Sequence, residues 1–156
     1  MAATGSTVKR DVDLEAQARA LASSPSLWLP FARFEEPRFR LKLNVSTEYE
    51  AWLLTWLPGQ TTGLHDHGGA SGCFTVLQAS VWETVIDERG RPHETRFPAG
   101  AMRSFESDIV HEVCNVGTVG AITLHLYRPE LTSMTHYSNE GGRLRALETA
   151  VAGQDW

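Results

Sequence analysis

Two histidines separated by a single residue form the most specific chemical pattern in the chain. In His65-Asp66-His67 the imidazoles stand at i and i+2, so they would project from the same face of an extended strand while Asp66 points away. A third histidine, His111, lies in a later predicted strand, residues 109–115, which a neighbouring position in a sheet could bring beside the pair. Three imidazoles can bind one divalent metal ion. The alternative is that these are unrelated surface or core histidines.

The residues around these histidines favour a metal site. Glycines precede and follow the pair, and a Pro-x-Gly sequence precedes His111. This arrangement resembles the two motifs of cupins, in which Gly precedes His-x-His and a later Pro-x-Gly precedes His-x-x-x-Asn. The flanking residues are Gly63, Gly68, Gly69, Pro98 and Gly100.

A missing carboxylate distinguishes this pattern from that of ordinary cupins, which carry a Glu a few residues after His-x-His. Residues 68–73 read Gly-Gly-Ala-Ser-Gly-Cys, so the usual set of two histidines and one carboxylate is not available from this segment. Three neutral imidazoles leave a divalent ion at its full charge, and such a site favours an anionic ligand such as a thiolate. Because three histidines also suit zinc, the ligands alone leave the metal open.

A second row of polar residues follows on a later strand. Thr123, His125 and Tyr127 alternate with Leu124 and Leu126, so the hydroxyl, imidazole and phenol should share one face of the strand and the leucines the other. Such a row can form a hydrogen-bonded relay that fixes the imidazole tautomer and orients the phenol. The alternative is a half-exposed strand whose polar face contacts water.

Taken together, these strings resemble the cysteine dioxygenase family of thiol dioxygenases, over about residues 27–137. The strings that carry the resemblance are His65-Asp66-His67, His111 followed by Asn115, Thr-Leu-His-Leu-Tyr-Arg-Pro at 123–129, and Arg40 upstream. The resemblance implies a cupin β-barrel that holds one Fe(II) ion through the three histidines. It also implies oxidation of a small thiol by O2 to a sulfinate, with L-cysteine as the leading substrate and cysteine sulfinic acid as its product.

The resemblance further implies roles for residues around the metal. Tyr127 would hydrogen-bond the bound substrate and oxygen, with His125 and Thr123 behind it. Arg40 would bind the substrate carboxylate, and the planar guanidinium of arginine suits that task. His136 would lie near the mouth of the pocket and contact the substrate.

Departures from the family pattern affect two of these expectations. Animal members carry a Cys after His-x-His that cross-links to the active-site Tyr, but this position is Gly72 here and Cys73 comes one residue later. A shift of one residue turns a strand side chain to the opposite face, so we predict no cross-link from Cys73 to Tyr127. The position two before Arg40, often Tyr in animal members, is Arg38, and the segment from Arg40 to the histidine pair is one residue short. Arg40 could instead belong to a solvated strand face.

The elements that would position these residues are mainly strands. Alternating apolar and basic residues predict a half-buried strand at 38–43. Further strand patterns, separated by turns that contain Gly or Pro, follow at 49–57, 74–86, 94–97, 109–115 and 121–127. We therefore predict an all-β fold, a small cupin jelly-roll barrel with short N-terminal helices.

The length of 156 residues predicts a single domain. The expected segments are a disordered start at 1–12, a helical segment at 13–34 with a second short helix or turn at 27–34, the barrel at 38–137, and a tail at 138–156 with a last helix at 143–151.

The composition bears on partners and location. The net charge of −5, from 14 basic and 19 acidic residues, argues against a nucleic-acid partner. No stretch approaches 18 apolar residues, so we expect no membrane partner. With two cysteines and no apolar signal core at the start, we expect a cytoplasmic monomer whose partners are a small thiol and O2.

Two alternatives to a cysteine dioxygenase stay open on the sequence. One is a dioxygenase of 3-mercaptopropionate or another small thiol, a branch that commonly has Gln in the carboxylate-binding role expected of Arg40. The other is a metal-binding cupin that is not a dioxygenase, either a non-enzymatic binder or a zinc enzyme.

Overall fold

The computed structural model describes residues 11–153, so the expected disorder at 1–12 lies almost wholly outside the described residues. The predicted first helix is confirmed as α1, Leu14–Ala22. The side chain of Asp13 accepts a hydrogen bond from the backbone N–H of Ala16 at 3.0 Å, which caps the first turn. Two short 3-10 turns at Pro25–Leu27 and Leu29–Phe31 overlap the first part of the segment 27–34, which was predicted as a second helix or turn.

Two antiparallel sheets form the body of the molecule. The first sheet has the order β1-β2-β9-β4-β7. Its strands are β1 Arg40–Leu43, β2 Glu50–Trp56, β9 Ala121–Arg128, β4 Ser71–Gln78 and β7 Met102–Phe105. The second sheet has the order β11-β10-β3-β8-β5-β6. Its strands are β11 Arg143–Val151, β10 Ser133–Glu140, β3 Leu64–His65, β8 His111–Cys114, β5 Ser80–Ile86 and β6 Pro92–Pro98.

The alternation of β9 divides the core into two layers. Ile122, Leu124 and Leu126 pack with Ala18 and Leu21 of α1 on the outer face of the first sheet. On the other face, the aromatic residues that fill the space between the sheets include Trp56, Phe74, Phe105 and Tyr127. The polar row of β9 therefore faces the interior of the barrel, and the half-exposed alternative is wrong because Thr123, His125 and Tyr127 are at most 3% exposed.

Short β3 brings the histidines together. It lies between β8 and β10, with His65 directly opposite His111 on one side and His136 on the other. Residues directly opposite in an antiparallel pair have Cβ atoms about 4.5–5.5 Å apart. The register therefore places side chains from distant parts of the chain at one point.

The structure corrects two predictions about the elements. Residues 143–151 form strand β11 instead of a helix and pair with β10, so most of the expected tail belongs to the second sheet. Gly141 and Gly142 connect the two strands with φ of +63° and +90°, the backbone that a two-residue hairpin loop requires. The single strand expected at 74–86 is two strands in different sheets, and the chain turns between them at Ala79, whose φ is +59°.

The helices are short. Within residues 11–153 none combines the length and the apolar character that crossing a bilayer requires.

Candidate metal centre

His65, His67 and His111 converge in the interior of the barrel. One potential ligand nitrogen from each lies within 4.8 Å of the others, and Nε2 of His67 is 3.2 Å from Nε2 of His111. All three side chains are at most 2% exposed. The structure thus brings together the three residues that the sequence predicted as metal ligands.

Hydrogen bonds fix the ring of two of these histidines. Nδ1 of His65 donates to the carbonyl oxygen of Gly63 at 2.9 Å. Nδ1 of His111 donates to Oε1 of Glu83 at 2.7 Å. Because both acceptors are oxygens without a proton, each ring carries its hydrogen on Nδ1 and keeps the lone pair of Nε2 for a ligand.

The arrangement fits a metal ion. Two imidazole nitrogens bound to one ion at about 2.0–2.1 Å must lie within about 4.2 Å of each other. The 3.2 Å separation of His67 and His111 satisfies this limit, and the 4.8 Å span of the three nitrogens exceeds it by about 0.6 Å, a distance that a small rotation of one ring would close. Nδ1 of His67 is buried without a hydrogen-bond partner among the described residues. Burial and the other imidazoles also hold the pKa of His65 and His67 well below the usual value. Neutral rings are the form that binds metals.

Glu83 on β5 is a site residue that the sequence analysis missed. It is 1% exposed, with one carboxylate oxygen on His111 and the other accepting from Nε of Arg103 at 2.8 Å. Burial alone would raise the pKa of Glu83, but the bonds from His111 and Arg103 lower it below its usual value. The signal was available, because Glu83 shares the buried face of β5 with Val81 and an inward glutamate in an apolar strand needs a partner.

The polar row of β9 forms a hydrogen-bonded relay. The indole N–H of Trp56 donates to Oγ1 of Thr123 at 2.9 Å. Oγ1 of Thr123 in turn lies 2.8 Å from Nε2 of His125, within hydrogen-bond distance. On the other side of the ring, Nδ1 of His125 lies 3.5 Å from the hydroxyl of Tyr127. Trp56 is therefore the first donor of this relay.

Tyr127 ends the relay beside the histidines. Its ring centroid is 5.2 Å from that of His67, and burial raises the pKa of its phenol far above the usual value. The phenol is thus a neutral donor. A phenol of this kind can donate a hydrogen bond to a ligand beside the cluster.

Two arginines lie beside this region on the segment that leads into β1. Arg38 is 9% exposed and its guanidinium lies 4.4 Å above the ring of Trp56. Burial and neighbouring Arg40 lower the pKa of Arg38 to about 10, so it remains charged at neutral pH, and its NH1 has no hydrogen-bond partner among the described residues. Arg40 lies opposite Leu54, and its Nε donates to the carbonyl oxygen of Gly153 at 3.0 Å.

His136 of β10 also lies at the cluster. Its ring centroid is 6.1 Å from that of His65. Its Nε2 is buried and has no hydrogen-bond partner within the described part of the chain. The structure therefore places this predicted substrate contact beside the candidate ligands.

Cys73 and Tyr127 belong to opposite sides of the first sheet. Cys73 packs in the outer layer with Leu124 and Leu126, whereas Gly72 is the residue opposite Tyr127. A Cβ at position 72 would lie 2.3 Å from the carbonyl oxygen of Leu126 and 3.0 Å from Cδ1 of Tyr127. This placement agrees with the predicted absence of a cross-link.

Comparisons with known proteins agree with the geometry. The family model described as Cysteine dioxygenase type I matches residues 6–140. Cysteine dioxygenase type 1 of Danio rerio is 27% identical over 132 residues, which cover 77% of this chain and 66% of that protein. The solved structure of TT1209 from Thermus thermophilus is 21% identical with a TM-score of 0.56, covering 64% of this chain and 90% of that one. The solved structure of a cupin superfamily protein from Desulfitobacterium hafniense is 16% identical with a TM-score of 0.50, and the match covers 61% of this chain and 79% of that one.

The two solved structures show the fold, and the family model shows the family. Two antiparallel sheets with short N-terminal helices and an interior cluster of three histidines define a cupin with a candidate metal site. The chain belongs to the cysteine dioxygenase type I family. The fold and family expected from the sequence are therefore confirmed.

Proposed function

We propose that this protein is an iron(II)-dependent thiol dioxygenase that converts L-cysteine and O2 to cysteine sulfinic acid. The observation that carries the proposal is the buried cluster of three histidines, with a neutral phenol and a buried cation near it in the barrel interior. Membership of the family supports the same reaction. In the net reaction both atoms of O2 are added to sulfur, RSH + O2 → RSO2H, so no external reductant is needed.

His65, His67 and His111 would hold the iron. When bound, Fe(II) supplies a position for the thiolate and the redox chemistry of O2, which protein side chains do not provide. The three imidazoles add no negative charge, so the site favours a thiolate over a neutral ligand. The apolar walls around the cluster, among them Phe105 stacked on His67 at 4.7 Å, exclude water from the reacting atoms.

Arg38 is the residue that we propose for the substrate carboxylate. A buried guanidinium without an anion is unfavourable, and a carboxylate would complete its hydrogen bonds. The ring of Trp56 supports the guanidinium from below, which fixes the plane of its donors. Arg40, two residues along the same face, adds positive potential and is the residue that the family resemblance favoured.

Tyr127 would donate its hydroxyl hydrogen to the bound substrate or oxygen. The relay from Trp56 through Thr123 and His125 ends at the phenol oxygen and would hold the phenol in place. A donor held in place before the reaction stabilises developing negative charge without reorganisation. His136 is proposed as a further contact to the substrate.

A dioxygenase of 3-mercaptopropionate is the second candidate. The cation pair of Arg38 and Arg40 recognises a carboxylate and is indifferent to an amine, and 3-mercaptopropionate carries the same thiol and carboxylate as cysteine. A metal-binding cupin of other activity is the third, because three histidines also suit zinc.

Oxygen consumption tests these candidates. Protein reconstituted anaerobically with Fe(II) is mixed with cysteine, 3-mercaptopropionate or cysteamine in ¹⁸O2-saturated buffer. The masses of the products are then measured by mass spectrometry. Our proposal expects the fastest uptake with cysteine and a product that gains two ¹⁸O atoms. Faster turnover of 3-mercaptopropionate would move the assignment to the second candidate. If the iron-loaded protein turns over none of these thiols, only the third candidate, a metal-binding cupin of other activity, would remain.

The proposed partners are the thiol and O2, in a cytoplasmic monomer. Free thiols and ferrous iron both persist in a reducing compartment. Fractionation of the native host and the mass of the protein in solution would check these two points.

A further inference from the structure

We propose that Glu83 provides the carboxylate of this metal site by acting on the ion through His111. Among ordinary cupins a Glu binds the metal directly, and residues 68–73 contain none. Here the carboxylate lies one hydrogen bond further out. The inference rests on the proposed function only in that it needs an ion at the three histidines, and it assigns Glu83 as a positioning residue.

The geometry links three strands at one carboxylate. Glu83 comes from β5, His111 from β8, where Val85 and His111 are direct partners, and Arg103 from β7 in the opposite sheet. Oε1 of Glu83 accepts from Nδ1 of His111 at 2.7 Å and Oε2 accepts from Nε of Arg103 at 2.8 Å. A carboxylate held at both oxygens has one orientation, so the imidazole that it binds has one orientation as well.

The three histidines differ in what lies behind them. Nδ1 of His65 donates to the neutral carbonyl of Gly63, and Nδ1 of His67 has no partner among the described residues. Within residues 11–153, His111 is the ligand with an ionic partner at Nδ1. A carboxylate behind an imidazole raises the basicity of the nitrogen that faces the metal. His111 is therefore the strongest donor of the three and the one that anchors the ion.

Arg103 makes this arrangement stable. A carboxylate as buried as Glu83 would cost several kcal/mol without a cation. The Arg103 side chain is about one-third exposed and reaches the carboxylate from the side nearer to solvent. The two residues can therefore hold His111 in place before any ion binds.

Zinc binding measures the effect without the redox chemistry of iron. The variants are Glu83→Gln, which keeps the shape of the side chain and removes its charge, and Arg103→Met, which removes the cation bonded to the Glu83 carboxylate. Glu50→Gln is the matched control, because Glu50 is a buried carboxylate whose partners are Lys42, Trp52 and the backbone of Leu131. Competition with a chromophoric chelator at pH 7.5 gives the affinity for Zn²⁺.

We expect Glu83→Gln to weaken Zn²⁺ binding about 10–100-fold, the usual effect of losing an outer partner of a metal ligand. Arg103→Met should weaken it less, about 3–10-fold, and Glu50→Gln should change it less than twofold. Affinity of Glu83→Gln within twofold of the wild type would overturn the inference. If that variant fails to fold, Glu83→Asp, which withdraws the carboxylate by one methylene, gives the same comparison.

A second measurement separates positioning from general destabilisation. In ¹⁵N NMR spectra of the zinc-loaded protein, the Nδ1–H of His111 should be strongly downfield in the wild type, as expected for a hydrogen bond to a carboxylate, and should move upfield in Glu83→Gln. An unchanged resonance would contradict the proposed contact. If the wild type binds Zn²⁺ in this manner but produces no sulfinate with iron, the proposed function fails and the role of Glu83 stands; if the wild type binds no metal, both fail.

Discussion

Replacing Arg38 by Met should make the ligand-free protein more stable and the binding of cysteine much weaker. The lowering of the Arg38 pKa from 12.5 to about 10 corresponds to about 3 kcal/mol against the charged side chain in its buried position. Met removes this penalty and fills a similar volume. It also removes the contact with the ring of Trp56, which contributes about 1–2 kcal/mol.

The balance is a gain of about 1–2 kcal/mol in the free energy of unfolding, or a rise of about 2–8 °C in Tm for a chain of this size. Loss of a buried cation from a carboxylate costs about 2–3 kcal/mol of binding, so KM for cysteine should rise about 30–150-fold. The KM for cysteamine, which has the thiol and amine but no carboxylate, should change less than threefold. Differential scanning calorimetry and initial rates of oxygen uptake measure the two effects on the same preparation.

Arg40→Met is the matched control for this experiment. Its side chain lies on the same face of the same segment, with Nε bonded to the carbonyl of Gly153, and we expect it to raise KM for cysteine less than Arg38→Met does. The reverse order, with Arg38→Met leaving KM unchanged and lowering Tm, would refute the reasoning. The carboxylate would then belong to Arg40, as the family resemblance implies.

Three further predictions concern the site and its surroundings. His111→Ala should lower the iron content after reconstitution at least tenfold, measured by elemental analysis, while His93→Ala, an exposed histidine, should leave it unchanged. Tyr127→Phe should keep the iron and lower kcat about 10–100-fold, and loss of iron in that variant would contradict a role as a donor outside the ligand set. Cys73 is fully buried, and burial raises its pKa to about 12, so at pH 8 about one thiol in 10,000 is ionised. Iodoacetamide should therefore leave Cys73 unmodified in the native protein and alkylate it after unfolding, as measured by mass spectrometry. Cys114 should react faster than Cys73 in the native state.

Local patterns predicted the strands that carry the chemistry. The alternation in 121–127 correctly put Thr123, His125 and Tyr127 on one face, because side chains alternate along any strand whatever lies beside it. The same rule correctly assigned Cys73 to the face opposite Tyr127. Patterns at the end of the chain were less informative. The segment 143–151 was expected as a helix, but the backbone hydrogen bonds of β10 determine its conformation as a strand.

Residues that act through partners distant in sequence could not be assigned this way. Glu83 and His111 are 28 positions apart, and Trp56 and Thr123 are 67 apart. Neither pair has a local signature. Arg38 and Arg40 are two residues apart in a segment expected to be extended, so their spacing could not indicate which of them is buried. The contact of Arg38 with the Trp56 ring and that of Arg40 with the carbonyl oxygen of Gly153 separate them.

The sequence by itself determined the fold class, the family and the three histidines, because these depend on residue types at short, regular spacings. The tertiary structure alone decided which groups stand behind those histidines, which groups the relay connects, and which arginine is buried. The physical reason is that hydrogen-bond direction and burial belong to pairs of groups, and the pairing of strands into two sheets decides which groups meet.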